Sequence, residues 1–513
     1  MTRWAPATKW FVALGASSLL AAGCAGTGSP TAHALGARPG HSTTTASSTT
    51  TSTMPNVDVP PVTPISWSPC NGDLQCGSLV VPLRYDQPAG ATISIAVARH
   101  PAVVPADRIG SLVINPGGPG VSGIDDMANE LSVLTPQLLD DFDIVMFDPR
   151  GVERSDPVTC GEAPGSPPTT MPDPAPTTAS AEGVTVAGLK SYAAACEKAS
   201  SAVLPYVGTV DTARDMERLR LALGDPGLTY MGQSYGSLLG LMYASLFPTH
   251  VRAIVLDSVI DPALTFTQLS TGQADGFESE LQDFFTWCAG SGECPWRPSD
   301  GPTQALLALI ASSTATPVPA GNGRQAGAGE LYDALLDGLY AQSDWPQLGG
   351  ALAADAAGNG AQIVAMSDHY NQNGSTNGDD AALAIDCLDH PTSLDLSAYG
   401  YLAAVLGSSA PVFGPLLAWG QAACAVWPTP PTRTAGPVAA PGAPPALVIG
   451  TTNDAATPYS WAVNVSHELD KAALLTVDGG NHVSYFYSAC VRSYVQTYLV
   501  SGAIPPAGTT CTE

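Results

Sequence analysis

Positive charge is scarce in this chain: 19 Lys and Arg stand against 45 Asp and Glu in 513 residues, a net charge of −26. Binding a phosphate backbone needs clustered basic side chains, and none occurs, so nucleic acid is excluded as a partner. Solubility is the plain account of such acidity. Metal-ligand spacing is missing too, since no C-x-x-C pair and no histidine cluster interrupts the sequence. Zinc therefore has no site to occupy, and neither a metal nor a cofactor is expected. Past the N-terminus no apolar run is long enough to span a bilayer. No internal repeat occurs.

The N-terminus carries one short apolar stretch. Arg3 and Lys9 precede or flank it, Trp10 to Leu20 forms it, and Ala21-Ala22-Gly23-Cys24 follows. A positive start, a short apolar core and a small-residue cleavage site predict a signal peptide over residues 1–23. Cys24 directly after Ala-Gly resembles a bacterial lipobox, with Ala21 where Leu is usual. Lipid attachment at Cys24 is expected, with plain secretion as the alternative. Residues 24–64 are Ser, Thr, Pro, Gly and Ala with almost no charge, too poor in apolar surface to fold. They read as a disordered tether open to O-glycosylation. The expected location is the cell envelope, with membrane contact only through the anchor, or the medium.

Setting Cys24 aside leaves ten of the eleven cysteines. An even number in an exported chain reads as disulfides. Sequence neighbours flank loops, which predicts Cys70 with Cys76, Cys160 with Cys196, Cys288 with Cys294, Cys387 with Cys424, and Cys490 with Cys511.

Short apolar runs predict strands at 111–115, 142–148, 228–232, 251–257, 445–451 and 473–477, and residues 79–99 an antiparallel hairpin ahead of them. Between the second and third run, Ala213, Met216, Leu219 and Leu223 share one helical face and Gly224 ends it. Aliphatic runs alternating with helices imply an α/β class with a mostly parallel sheet covered on both faces. The alternation breaks twice. Residues 161–190 read as a long Pro/Thr/Ala/Gly loop, clamped by the Cys160–Cys196 link. Residues 262–440 read as an inserted, mostly helical cap dividing the core into 65–261 and 441–513.

In Gly232-Gln233-Ser234-Tyr235-Gly236 a serine sits between glycines at a strand-to-helix junction. Gly and Ser are common here, so the pentapeptide alone proves little. Context adds to it, because a nucleophile on such a turn needs an acid and then a histidine later in the chain. Of eight histidines, His33 and His41 lie in the tether and His100 precedes the serine. His250 follows the helix behind it, His369 and His390 belong to the cap, and His467 sits in a helical stretch as a surface residue. His482 remains, in a Gly-rich loop after a strand. Asp454, at the end of the preceding strand, is the acid; Asp257 is the rival, with helix capping as its bland role. Asn115-Pro116-Gly117-Gly118-Pro119-Gly120 follows the first core strand and supplies a loop whose N–H groups can approach an oxyanion.

Taken in order, NPGGPG, FDPRG, GQSYG, TTNDAATP and GGNH resemble the secreted actinobacterial tripeptidyl aminopeptidases, relatives of the proline iminopeptidases. The resemblance covers about residues 65–513. It implies a serine aminopeptidase on an α/β-hydrolase core, with a cap governing substrate entry and short peptides, in particular tripeptides, as products. Ser234, Asp454 and His482 fall on its triad, and Gly117, Gly118 and Tyr235 on its oxyanion region. The lipobox and Thr-rich tether fit mycobacterial-type cell-wall members. Asn115-Pro116 stands where proline iminopeptidases carry a histidine, which favours the tripeptidyl branch. Glu153 in DPRGVERSD replaces a residue that is usually glycine.

An aminopeptidase must hold a free α-ammonium, which calls for a carboxylate near the pocket. Asp389 is the first candidate, with Glu153 and Asp386 behind it, and an ordinary surface acid is the competing account of each. Two other functions stay open: a carboxylesterase or lipase on the same fold, and a catalytically silent binding lipoprotein.

Overall fold

The computed structural model describes residues 61–161, 171–371 and 376–513. The signal peptide, Cys24 and all but the last few tether residues lie outside the described residues.

Aliphatic runs with no polar face must be covered on both sides, and the sheet obeys this. Its first strands are β1 (Ser68–Pro69), β2 (Gln75–Pro82), β3 (Thr92–His100), β4 (Gly110–Asn115) and β5 (Phe142–Phe147). Next come β6 (Leu228–Gln233) and β7 (Val251–Asp257). A separate hairpin, β8 (Val318–Gly321) with β9 (Arg324–Ala326), lies in the inserted region. The sheet resumes with β10 (Ala446–Thr451), β11 (Ala472–Asp478) and β12 (Thr510–Thr512). The order across it is β1-β2-β3-β5-β4-β6-β7-β10-β11-β12. Pairing is antiparallel from β1 to β5 and parallel from β5 onward.

Side chains alternate between two cores, as the period of a strand requires. Val113, Val145, Tyr230, Ile254 and Val448 face one, with Leu238 and Val465 from covering helices. Leu112, Ile144, Met231, Val255 and Leu447 face the other, with Met127, Val491 and Leu499. Each such buried side chain contributes about 1.5–3 kcal/mol.

Register brings the functional ends together. Asn115 pairs with Gly232, Gln233 with Asp257, and Asp257 with Ile449. The carboxyl ends of β4, β6, β7 and β10 thus lie side by side, where open α/β sheets place their sites.

The inserted region is built on helices, among them Phe266–Gly290, Ala328–Leu339, Trp345–Ala356 and Gly378–Asp389. Phe277, Leu281, Phe284, Leu331, Leu335, Leu348 and Phe413 give it a core of its own. The β8–β9 hairpin is a departure from the helical reading.

A second departure is the helix Ala179–Ser200, which begins inside the stretch predicted to be loop. The Pro-rich composition ends at Thr178, whose hydroxyl accepts from Ala181 N at 3.2 Å and starts the helix. All five predicted disulfides are present: 70–76, 160–196, 288–294, 387–424 and 490–511.

Arg150 of the FDPRG run is fully buried. It grips Asp215 through two bonds of 2.6 and 2.7 Å and the Leu83 and Tyr206 carbonyls at 3.1 and 2.8 Å. It thereby ties the end of β5 to the helix Thr209–Leu223 and to the end of β2.

Candidate active site

β6 ends at Gln233 and the helix Tyr235–Leu246 begins two residues later, so Ser234 must turn the chain by itself. It does so at φ 53°, ψ −124°, a backbone state that persists only where its surroundings enforce it. Its N–H donates to the Asp257 carbonyl at 2.9 Å. The turn needs the flanking glycines: a Cβ on Gly232 would collide with the Gly236 carbonyl, and one on Gly236 would sit 2.8 Å from Asn115 Oδ1.

Asp454 lies just past β10 and is buried. His482 Nδ1 approaches its two oxygens at 2.9 and 3.0 Å. Ser258 Oγ donates to Oδ2 at 2.7 Å, Thr457 Oγ1 at 2.8 Å, and the Ala456 and Thr457 N–H groups to Oδ1 at 2.9 Å each. Burial alone would raise this carboxyl, but the His482 charge and these bonds outweigh it and hold it below its ordinary range. Facing a carboxylate, Nδ1 is the protonated nitrogen, which leaves Nε2 as the acceptor.

His482 is held from the cap as well. Its N–H donates to the Tyr340 carbonyl at 2.9 Å, and the Tyr340 ring meets the imidazole edge-on at 5.2 Å. On the other side of its loop, Glu513 Oε2 accepts from Gly480 N, Asn481 N and Asn481 Nδ2 at 3.1, 3.2 and 2.7 Å.

Ser234 lines a pocket whose wall also includes Gly118, Tyr235, Gln273, Asp386 and His390. Tyr340 and Thr457 line it too, and both also contact His482, which sets the histidine against two residues of the pocket wall. The rival Asp257 does not orient the imidazole: its Oδ2 accepts from Tyr485 N at 2.8 Å, and burial pushes its carboxyl up to about 7.

The glycine loop also departs in part from expectation. Gly117 and Gly118 adopt φ 103° and 106°, open to glycine alone. The Gly117 N–H, however, donates to Asn115 Oδ1 at 3.1 Å. Among the described residues the Gly118 and Tyr235 N–H groups have no acceptor, and they are the donors available at the pocket.

Of the three acids expected to bind substrate, one stands in the pocket wall, and it is not the first candidate. Asp389 is fully buried, with Oδ1 accepting from Thr209 N at 3.1 Å and Oδ2 from the Thr209 hydroxyl. Both oxygens are taken, and the residue is not part of the pocket wall. Glu153 accepts from Thr376 N away from the pocket, and its φ of 40° explains why glycine suits that position. Asp386 does line the pocket, and its Oδ2 has no partner among the described residues. Burial and the charge of Asp389 push it well above the carboxylate range, with Arg433 pulling the other way.

Gln273, which sequence reasoning passed over, stands in the same wall. Its Nε2 donates to the Ala456 carbonyl at 3.0 Å, which leaves Oε1 buried and without a donor among the described residues. His390, set aside as a cap residue, lines the pocket as well, stacked on Phe266 at 4.3 Å. Burial and nearby Arg433 keep it neutral. Nothing local in the sequence marks either residue, because the cap brings them in from far along the chain.

A family profile described as TAP-like protein matches residues 410–511, a span containing Asp454 and His482. The chain is 33% identical over 482 residues to serine protease Hip1 of Mycobacterium tuberculosis, covering 87% of this chain and 91% of that one. It is 30% identical over 468 residues to a tripeptidyl aminopeptidase of Streptomyces coelicolor, covering 87% and 86%. Carboxylesterase B of Mycobacterium tuberculosis is 32% identical over 477 residues, covering 87% and 89%.

Proposed function

Because the chain belongs to the TAP-like serine peptidases of the α/β-hydrolase superfamily, we propose that it is an aminopeptidase releasing short peptides, in particular tripeptides, from free N-termini. Ser234 attacks the scissile carbonyl, His482 Nε2 takes its proton and returns it to the leaving amine, and Asp454 holds the imidazole. The Gly118 and Tyr235 N–H groups receive the oxyanion.

The observation behind the aminopeptidase reading is the pair of unpartnered buried acceptors, Asp386 Oδ2 and Gln273 Oε1, in the wall of the Ser234 pocket. A buried acceptor without a donor costs free energy until a ligand supplies one. An ammonium brings three N–H donors and a positive charge, which suits a carboxyl that burial and Asp389 hold in its neutral form. As the cation enters, the carboxyl releases its proton to solvent and pairs with it as a carboxylate.

A carboxylesterase relative of comparable identity supports a second reading, hydrolysis of esters with uncharged acyl groups. The two differ in one measurement: kcat/KM for a free tripeptide nitroanilide, its N-acetylated twin and a short-chain ester. The aminopeptidase should lose about two to four decades on acetylation, since removing one partner of a buried pair costs about 3–5 kcal/mol. Asp386→Asn should erase most of that preference while ester turnover persists. Equal rates for both peptides, with the ester far faster, would establish the esterase instead.

The disulfides suit an oxidising compartment, in keeping with an exported protein. Attachment to the membrane through Cys24 belongs to the same proposal. Among the described residues no helix is long and apolar enough to cross a bilayer.

A further inference from the structure

Three residues other than glycine take positive φ around the site: Ser234 at 53°, Ser258 at 54° and Val483 at 63°. For a β-branched residue such as Val483 this is a genuine outlier, and Val483 directly follows His482. The Val483 N–H donates to Ser258 Oγ at 2.8 Å. The same hydroxyl donates to Asp454 Oδ2 at 2.7 Å. A hydroxyl has one proton, so its direction is fixed: the proton goes to the carboxylate and a lone pair takes the Val483 N–H.

Ser258 is itself anchored. It is 1% exposed, its N–H donates to the Ile449 carbonyl of β10 at 3.2 Å, and its neighbour Asp257 accepts the Ser234 N–H. The residue pair at the end of β7 therefore touches the backbone of the serine, the carboxylate of the acid and the turn beside the histidine.

We propose that Ser258 is a positioning residue, whose hydroxyl couples the Asp454 carboxylate to the His482–Val483 turn and so sets the imidazole against Ser234. It acts through Asp454 and His482 and touches no substrate. The proposal rests on the triad assignment made above.

Two substitutions separate positioning from simple backbone support. Ser258→Ala removes the hydroxyl and keeps the left-handed backbone cost. Ser258→Gly removes the hydroxyl and relieves that cost, because glycine adopts φ near 54° freely. Both variants should lose about ten- to a hundredfold in kcat on the short ester, with KM nearly unchanged, as two buried hydrogen bonds disappear. The acid limb of kcat/KM should also move to higher pH, since a carboxylate with one donor fewer binds the imidazolium more tightly. Turnover is taken per competent site, counted with a fluorophosphonate that reacts with Ser234, so that misfolded protein does not enter the rate. Ser258→Gly with wild-type kcat and an unmoved acid limb would overturn the proposal. Ser234→Ala is run alongside: if it stays active, the triad itself is wrong, whereas if it is inert while Ser258→Gly is fully active, only the role of Ser258 falls.

Discussion

Asp454 has to stay ionised where water is excluded, and five donors from four residues make that possible. Its folded-state acidity is therefore enhanced, so its contribution to stability is complete above the unfolded carboxylate value near about 3.9 and disappears as pH falls through the lower folded value. Asp454→Asn keeps the shape but presents an amide to Nδ1, so kcat should fall on the order of ten-thousandfold. His482→Ala should be as damaging. His467→Ala, on the helix Tyr459–Glu468, should be nearly silent. Turnover of one ester by the three purified variants decides this, and a harmless His482→Ala with a dead His467→Ala would mean the wrong histidine. At this scale the sequence was readable for placement: it sets Ser234, Asp454 and His482 just past strand ends, where the structure has them, with Asp454 against His482. It was unreadable where selection among similar acids depends on neighbours: Asp386 and Asp389 are three residues apart on one helix, and only Thr209 tells them apart.

The helices of this protein use glycine for opposite reasons. On Tyr235–Leu246, Gly236 lets the helix start against β4, and an added Cβ would strike the Asn115 carbonyl and lie 2.8 Å from its Oδ1. On Ala179–Ser200, Gly183 and Gly188 face open space. The same substitution should then act with opposite signs. Gly236→Ala should destabilise by about 1–3 kcal/mol, the cost of overpacking, and should slow turnover by displacing the turn at Ser234. Gly183→Ala and Gly188→Ala should each stabilise by about 0.5–1 kcal/mol, because alanine loses less backbone entropy in a helix interior. Denaturant midpoints at unchanged m-value test both signs. Strands were legible to within a residue or two because six of them are uninterrupted aliphatic runs bounded by turn residues. The helix Ala179–Ser200 and the β8–β9 hairpin were not. The first has little apolar periodicity to announce it, and the second is a four-residue and three-residue pair set among helices.

Across the whole molecule, acidity and burial act on stability together. Burial pushes the carboxyls of Asp257 and Asp333 up to about 7, Glu280 to about 8 and Asp355 to about 6. For an acid raised in the folded state, the native protein binds more protons than the unfolded chain between the two values. Stability therefore falls as pH rises from about 4 toward each folded value. Neutral, buried His390 works the other way, but only below its unfolded value near about 6.5. Above that, the acids act alone, and added self-repulsion in a chain of net charge −26 has the same sign. Tm should fall steadily from about pH 6.5 to 8.5 at constant ionic strength. A Tm that rises over that interval would contradict the burial assigned to these groups. This acid-side preference was hidden in the sequence, because charge counts treat every carboxyl as solvated.

The contact between Tyr340 and His482 ties the histidine to the cap. The carbonyl that holds the histidine N–H, and the ring against its imidazole, both follow directly from the cap helix Ala328–Leu339. A displacement of that helix would draw both off together. Were the histidine the base proposed above, its brace and the position of this one helix would be a single variable.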